Sequence, residues 1–316
     1  MKLIIQIPCY NEEESLPVTY ADLPKNINGI DTIETLIIND GSTDNTVEVA
    51  KRLGINHIVN FKKNRGLAMA FSEGIDRCLQ LGADIIVNTD ADNQYNGADI
   101  EKLVQPILSG KADVVVGDRE TSKIEHFSWY KKKLQYSGSS LVRRLSNTNI
   151  PDAVSGFRAF SKEAALRINV LTDFSYTIEN LIQLGHQKLK IISVPVKTNK
   201  AIRKSRLFKS MPAFIRNQMA TVLRVYSTYK ALKIFTIIGF IMILPGIAGF
   251  ARFLYFYFTS GGEGHVQSLI FSTTLIIIGF LVFMFGIISD LISNNRKLIE
   301  KTLHKIKKME SENKDD

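Results

Sequence analysis

Cysteine is scarce in this sequence, and histidine is scattered. Cys9 and Cys78 are its two cysteines, and its five histidines lie far apart along the chain. Two cysteines cannot form a disulfide framework, and their scarcity fits a reducing compartment. Separated histidines argue against a zinc site, because zinc ligands usually come in short spacings. The composition therefore argues against both a disulfide-stapled secreted domain and a zinc-binding domain.

Two further signals are missing. The first apolar run, residues 3–7, is too short for a secretion signal and is typical of the first strand of a domain. The chain has no Gly-x-Gly-x-x-Gly pattern, so Gly66 and Gly74 are predicted to mark close packing and not a phosphate-binding loop.

Acidic residues are absent between Glu179 and Glu263, although basic residues are frequent there and the chain has a net charge of +9. A basic stretch can bind nucleic acid or an anionic lipid surface. Here it leads directly into a long apolar segment, which favours the membrane surface. We therefore expect a membrane partner and no nucleic acid.

Two apolar segments, residues 234–258 and 269–292, are each long enough to cross a bilayer. Lysine and arginine cluster before the first and after the second, and the connecting loop 259–268 has neither. The positive-inside rule then predicts a multi-pass protein of the cell (inner) membrane with both termini in the cytoplasm. A buried hairpin of soluble helices is the disfavoured alternative, because such lengths are rare in cores.

The segments beside these spans are also distinctive. Residues 208–233 interleave apolar and basic residues, which predicts an amphipathic membrane-surface segment. Residues 293–316 are predicted to form a charged cytoplasmic tail. In it, Ile299, Leu303 and Ile306 form a short apolar stripe, for which self-association into a homo-oligomer and a plain surface helix are both open.

Residues 1–207 alternate strand-like and helix-like segments. Strands are predicted at residues 3–7, 35–38, 84–89 and 113–117, and helices at 13–27, 44–53, 66–81 and 100–109. This alternation predicts one α/β domain with a mostly parallel sheet.

The acidic pair Asp90 and Asp92 follows the apolar strand predicted at residues 84–89. The carboxyl end of a strand is where open α/β sheets bind their ligands. Closely spaced carboxylates suit Mg²⁺ or Mn²⁺ shared with substrate phosphates. A solvated acidic turn is the alternative for an isolated Asp-x-Asp.

Three other motifs accompany this pair: Ile-Pro-Cys-Tyr-Asn-Glu-Glu at 7–13, Asn-Asp-Gly-Ser-Thr-Asp at 39–44 and Ser-Gly-Phe-Arg at 155–158. Each is weak alone, but in this order they resemble the family 2 glycosyltransferases of GT-A fold. Within that family the chain is similar to the dolichyl-phosphate mannose synthase group, which glycosylates polyprenyl phosphates. The resemblance implies a Rossmann-like nucleotide-sugar-binding domain, followed by two transmembrane helices.

The resemblance also implies roles for residues at the strand ends. Those that hold the nucleotide are Pro8, Tyr10, Glu12, Asp40 and Asp90. Those that hold the metal, Mg²⁺ or Mn²⁺, and the diphosphate are Asp90, Asp92 and Gln94.

Four arginines complete the implied site. Arg119 and Arg158, with Asp92, are the implied catalytic residues. Arg158, with Arg203 and Arg206 of a basic loop, is implied to meet the acceptor phosphate. For Arg119, a plain ion pair with Asp118 or another surface acid is the alternative.

These roles predict an inverting transfer from a nucleotide-diphosphate sugar to undecaprenyl or dolichyl phosphate. A phosphate monoester is largely ionised near neutral pH, so no strong general base is needed. Glu179 is therefore expected to be a helix-surface carboxylate, and a general base is its alternative role. Asn93, Tyr95 and Asn96 differ from the residues common around the acidic motif of mannose synthases, so the sequence does not identify mannose as the sugar.

Two other functions remain as alternatives. A processive polysaccharide synthase would carry a Gln-x-x-Arg-Trp motif, whereas the single tryptophan, Trp129, lies in a different context. A catalytically silent nucleotide-binding membrane scaffold would tolerate loss of Asp92.

Overall fold

The computed structural model describes residues 1–120, 140, 142–143, 145–170, 176–199, 211–261 and 266–312, without side chains at 211–231, 260 and 311–312. The chain divides into two compact units. The α/β unit comprises Met1–Val222 and Leu303–Asp316, and the helical unit comprises Leu223–Thr302. The predicted boundaries at 207, 233 and 292 remain predictions.

One sheet forms the centre of the α/β unit. Its strands are β1 (Lys2–Cys9), β2 (Thr32–Asn39), β3 (His57–Asn60), β4 (Ile85–Asn88), β5 (Val114–Asp118), β6 (Arg158–Ser161) and β7 (Ile191–Pro195). The strand order is β3-β2-β1-β4-β6-β5-β7. Only β6 runs antiparallel to its neighbours, β4 and β5. The predicted α/β fold with a mostly parallel sheet is confirmed.

Helices pack around this sheet. They are α1 (Leu16–Asp22), α2 (Thr46–Arg52), α3 (Leu67–Gln80), α4 (Ile100–Leu108), α5 (Lys162–Leu166) and α6 (Tyr176–His186). The strands nearest the centre are buried on both faces, as their continuous apolar runs require. In β1, residues 3–9 are all buried, and in β4 all four residues are.

The first helix is shorter than predicted. It begins at Leu16 and not at 13, and it ends at Asp22 and not at 27. Asn11 adopts a left-handed backbone with φ of 56°, which a helix cannot accommodate. Residues 11–13 form instead a turn that is hydrogen-bonded to the loop after β2, at Ser42 and Asp44.

Strands β3, β6 and β7 are absent from the sequence-based prediction. β3 and β6 have four residues each, and the residues of β7 are mostly half-buried. Short strands of this kind carry little periodic signal. The antiparallel β6 matters most, because it follows the Ser155–Gly156–Phe157 turn and fixes that turn beside β4.

The helical unit contains most of two long helices, α7 (Met211–Ser260) and α8 (Val266–Glu312). Their stretches Leu232–Thr259 and Val266–Glu310 are long and apolar enough to cross a membrane. The two helices are in close contact at glycines. A side chain on Gly279 would lie 2.6 Å from Ile243 Cγ1, and one on Gly239 would lie 2.9 Å from the Gly279 carbonyl oxygen.

Residues 208–210 of the predicted amphipathic segment lie outside the described residues. Residues 211–233 are helical and continue without a break into the apolar part of α7. The amphipathic character of this segment stays a prediction.

Candidate active site

The predicted nucleotide and metal motifs lie at one edge of the sheet. Strands β2, β1 and β4 are parallel neighbours, with Cys9 paired to Asn39 and Gln6 paired to Asn88. Their carboxyl ends therefore lie side by side, and the loops that follow them meet there. This edge is the ligand-binding position of an open α/β sheet.

The loop after β1 is joined to the loop after β2. The Asn11 N–H donates to Ser42 Oγ at 2.9 Å, and the Thr43 N–H donates to Asn11 Oδ1 at 2.8 Å. Pro8 is a buried residue of β1, whereas Tyr10, the first residue of the loop, is 39% exposed. The Tyr10 ring is thus one part of this loop that solvent or a ligand can reach.

Glu12 is buried. Its Oε2 accepts a hydrogen bond of 2.5 Å from Ser15 Oγ, and its N–H donates to Thr46 Oγ1 at 2.8 Å. Glu12 thereby ties the start of α1 to the start of α2.

Asp40 lies at the end of β2 and is buried. Its carboxylate accepts backbone hydrogen bonds from Arg65 at 2.6 Å and Gly66 at 2.9 Å. Burial raises the pKa of Asp40, and the two N–H donors oppose that shift. Gly41 must be glycine, because its φ is 67° and a side chain would lie 2.4 Å from the Lys63 carbonyl carbon. Asp40 thus holds the 63–66 loop at the site.

The acidic loop follows β4. Asp90 and Asp92 are half-buried, and the Gln94 N–H donates to Asp92 Oδ1 at 3.1 Å. Asn93 has a left-handed φ of 54°, and its buried Oδ1 has no hydrogen-bond partner in the described part of the chain. A buried oxygen without a donor is a position that a ligand or water can satisfy.

These oxygen donors fit a hard divalent cation such as Mg²⁺ or Mn²⁺. They are the carboxylates of Asp90 and Asp92 and the amide oxygens of Asn93 and Gln94. Among the described residues, no cluster of three or more acidic, histidine or cysteine side chains could hold a metal by itself. A cation bound here would therefore need further ligands, which substrate phosphates can supply.

The acidic loop packs against the turn that precedes β6. The Tyr95 ring stacks on Phe157 at a centroid distance of 4.8 Å, and the Gly156 N–H donates to the Tyr95 hydroxyl at 3.3 Å. A side chain on Gly156 would lie 2.8 Å from the Tyr176 hydroxyl and 3.3 Å from Asp90 Oδ1. Only glycine therefore allows this turn to approach Asp90 so closely.

A buried polar chain supports this contact. Gln6 Nε2 donates to Asn88 Oδ1 at 2.8 Å, and Asn88 Nδ2 donates to the Gly156 carbonyl at 2.8 Å and to the Tyr176 hydroxyl at 3.0 Å. The Tyr176 ring stacks on Phe71, with centroids 4.0 Å apart. Burial, followed by the nearby Asp90 charge, raises the pKa of Tyr176 and keeps it neutral.

Sequence reasoning missed this chain. Gln6 and Asn88 are polar residues inside apolar strands, and that contrast was the available signal. Tyr176 carried no such signal, because its partners come from three distant parts of the sequence.

Arg158 is completely buried, and its guanidinium donates to three backbone carbonyls. Nε reaches Ser155 at 2.8 Å, Nη1 reaches Thr177 at 2.8 Å and Nη2 reaches Ala153 at 2.9 Å. Burial lowers the pKa of Arg158 to about 10. These contacts make Arg158 a residue that positions the Ser155–Gly156 turn against α6. Its contact with an acceptor phosphate stays a prediction.

Arg119 pairs with Asp152. Its Nε and Nη2 donate to the two carboxylate oxygens at 2.6 Å and 3.0 Å. Asp152 is 2% exposed and Arg119 is 17% exposed. Burial opposes the charged form of Arg119, but the neighbouring Tyr95 and the Asp152 carboxylate raise its pKa. The alternative role, an ion pair, is therefore formed, but its partner is the buried Asp152 and not Asp118 or another surface acid.

Two expectations remain. Arg203 and Arg206 lie outside the described residues, so their place near the acceptor phosphate stays a prediction. Glu179 is 2% exposed, so the expectation of a helix-surface carboxylate is wrong. Every residue of α6 from Tyr176 to Leu184 is buried, because the helix packs inside the unit and not on its surface.

The sequence profile of the family described as "Glycosyl transferase family 2" matches residues 4–168, more than half of the chain. The chain belongs to glycosyl transferase family 2. It is a glycosyltransferase with a GT-A-like fold, as the order of its motifs predicts.

The named relatives match between about three fifths and nine tenths of the chain. The UDP-N-acetylglucosamine–dolichyl-phosphate N-acetylglucosaminyltransferase of Methanococcus voltae is 31% identical over 216 residues, 61% of this chain and 83% of the relative. Glycosyltransferase AglJ of Haloferax volcanii is 27% identical over 296 residues, 91% of this chain and 92% of the relative. Other relatives are named dolichol-phosphate or undecaprenyl-phosphate mannosyltransferases.

Among solved structures, the chain is similar to glucosyl-3-phosphoglycerate synthase from Mycobacterium tuberculosis, solved with Mn²⁺, uridine diphosphate and phosphoglyceric acid. The TM-score is 0.55 at 20% identity, over 71% of this chain and 78% of the other. At that identity the likeness concerns the fold.

Replacement of Gly156 by alanine tests the packing of the turn. We expect a loss of about 1–3 kcal/mol in unfolding free energy from overpacking, together with weaker Mn²⁺ binding, because Asp90 is displaced. Gly54→Ala is the comparison, since nothing lies near the position of its side chain, so that any loss there comes from its φ of 70° and not from overpacking, and Mn²⁺ binding should be unchanged. Thermal unfolding and metal titration measure both effects. Unchanged Mn²⁺ affinity in Gly156→Ala would contradict the arrangement.

Arg158→Lys tests the positioning role. An ammonium group cannot span three carbonyls on separate segments, so at least one buried carbonyl loses its donor. We expect unfolding free energy to fall by about 2–4 kcal/mol. Arg77→Lys, which changes an exposed arginine bonded to Gln80, should stay within about 0.5 kcal/mol of the parent. Chemical denaturation compares them, and parental stability in Arg158→Lys would refute the role.

Proposed function

We propose that this glycosyltransferase moves a sugar from a nucleotide-diphosphate donor to a polyprenyl phosphate, undecaprenyl or dolichyl, at the cytoplasmic face of a membrane. The observation that carries the proposal is the shared sheet edge. Asp40 follows β2, Tyr10 follows β1, and Asp90 and Asp92 follow β4, and these three strands are adjacent. A nucleoside and its diphosphate can therefore lie across one continuous edge.

The nucleotide would occupy the side formed by β1 and β2. The exposed Tyr10 ring offers a face on which a base can stack, and the 63–66 loop held by Asp40 adds backbone groups beside it. Pro8 and Glu12 fix the shape of this side and are buried. Asp40, after β2, and Asp90, after β4, would bound the nucleotide site on its two sides.

The diphosphate would lie at the acidic loop. Asp90, Asp92 and Gln94, with the unpartnered oxygen of Asn93, would hold a divalent cation there. Such a cation neutralises the charge that develops on the leaving diphosphate. Without it, two carboxylates beside a diphosphate would repel it.

The acceptor needs little activation. Its phosphate monoester is already largely ionised near neutral pH. A phosphate oxygen bonds to the anomeric carbon while the bond from that carbon to the diphosphate breaks, and the nucleoside diphosphate leaves with the electron pair. Attack opposite the leaving group inverts the anomeric configuration.

Arginines would orient the donor diphosphate and the acceptor phosphate, because the guanidinium fork matches phosphate oxygens. Arg119 is aligned by Asp152, and its side chain is 17% exposed. Arg203 and Arg206 are the predicted contacts of the acceptor. Arg158 would act by positioning the turn beside Asp90.

Several features support a lipid acceptor. The relative from M. voltae is named for transfer to dolichyl phosphate. In each apolar helix only 11% of the most apolar window is buried, whereas a core helix of a soluble protein would be mostly buried. The basic residues that flank these helices favour the cytoplasmic face.

A transfer assay with Asp92→Asn tests the proposal. Membranes with the protein would receive labelled nucleotide sugars, polyprenyl phosphate and Mg²⁺ or Mn²⁺, and extracts would be analysed for a lipid-linked monosaccharide. We expect product with at least one donor, and a loss of about 100-fold or more in Asp92→Asn, because the metal site is broken. Asp31→Asn, an exposed change just before β2, should leave transfer unchanged.

Failure of every donor in a broad panel with folded protein would overturn the proposal. A long polymer as the product would instead establish a processive synthase. Unchanged transfer in Asp92→Asn would remove the metal site from the mechanism.

A further inference from the structure

The C-terminal end of α8 is part of the α/β unit. The chain leaves that unit after Val222, forms the helical unit and returns at Leu303. Residues 303–312, called here the docking segment, continue α8 as one helix. Within that unit they contact α3 and residues in and just after α5.

The Lys307 ammonium holds the docking segment: Nζ donates to Asp76 Oδ1 of α3 at 2.6 Å and to the Ile168 carbonyl oxygen at 3.4 Å. His304 Nε2 lies 3.3 Å from Glu163 Oε1 of α5 but makes no hydrogen bond within the described part of the chain. Residues three apart lie on one face of a helix, so these contacts define a single docking face.

The docking face differs from the apolar stripe predicted in the tail. Ile299 and Ile306 are 66% and 47% exposed, whereas Leu303, His304 and Lys307 are half-buried. The helix thus presents a basic edge to acidic side chains of the α/β unit. Of the predicted stripe, Leu303 lies on this face, and the ion pair of Lys307 with Asp76 adds charge complementarity.

We propose that docking of residues 303–312, the end of the second apolar helix, on α3 and α5 raises transfer to an acceptor embedded in a membrane. The membrane part rests on the proposed function. Docking shortens the free chain between the α/β unit and an apolar helix, which restricts the space that the active site explores and so raises its effective concentration at the lipid phosphate. A small soluble acceptor would gain nothing from it.

Charge reversal tests the attachment. Lys307→Asp and Asp76→Lys should each reduce transfer to polyprenyl phosphate in phosphatidylcholine vesicles by about three- to fivefold, the range of a partly exposed ion pair. Their combination should recover most of the loss, because the pair is restored in reverse. Transfer to a short-chain, water-soluble polyprenyl phosphate should stay unchanged. Lys305→Asp, at an exposed neighbouring position, is the matched control.

Thiol crosslinking with a short bifunctional maleimide, which spans the length that the lysine side chain fills, measures docking independently of activity. The reagent should join Asp76→Cys to Lys307→Cys, and it should not join Asp76→Cys to Lys305→Cys. Cys9 and Cys78 are buried and should not interfere. Lack of the first crosslink, or an equal loss with both acceptors, would overturn the proposal. If the parent protein makes no lipid product, the proposed function fails, and crosslinking still decides whether the segment docks.

Discussion

The close approach of the Gly156 turn to Asp90 is the constraint on which the site depends. A glycine is needed there because Tyr176 and Asp90 flank the position that a side chain would occupy. Three groups hold the turn: the buried Arg158 guanidinium, the Asn88 amide and the Tyr95 ring stacked on Phe157. The acidic loop is thus supported by the core and is not a free surface turn.

This constraint explains why one antiparallel strand interrupts the sheet. β6 begins at Arg158, so its pairing with β4 brings the turn before it to the end of β4. A parallel strand would have brought its own carboxyl end there, and the turn would lie at the opposite edge. Burying the Arg158 charge costs desolvation free energy. Its three hydrogen bonds to backbone carbonyls offset part of that cost.

Much of the fold and part of the site could be predicted from the sequence. Apolar runs at residues 3–7 and 84–89 located the central strands β1 and β4. The motif order located Asp40 at the end of β2 and Asp90 and Asp92 at the end of β4. Burial of Glu179 could not be foreseen, because α6 mixes apolar and polar residues, and its polar Thr177, Asn180 and Gln183 are buried as well. The pairing of Arg119 with Asp152 and the docking of Lys307 on Asp76 join residues 33 and 231 positions apart, which no local pattern encodes.

The central claim is that the acidic loop binds a divalent cation together with a nucleoside diphosphate. Calorimetric titration of uridine and guanosine diphosphates into the detergent-solubilised protein, with Mn²⁺ or with a chelator, tests it most directly. The account predicts that at least one of them binds at least about tenfold more tightly with Mn²⁺, and that Asp90→Asn removes this difference. Equal affinity with Mn²⁺ and with the chelator would contradict it.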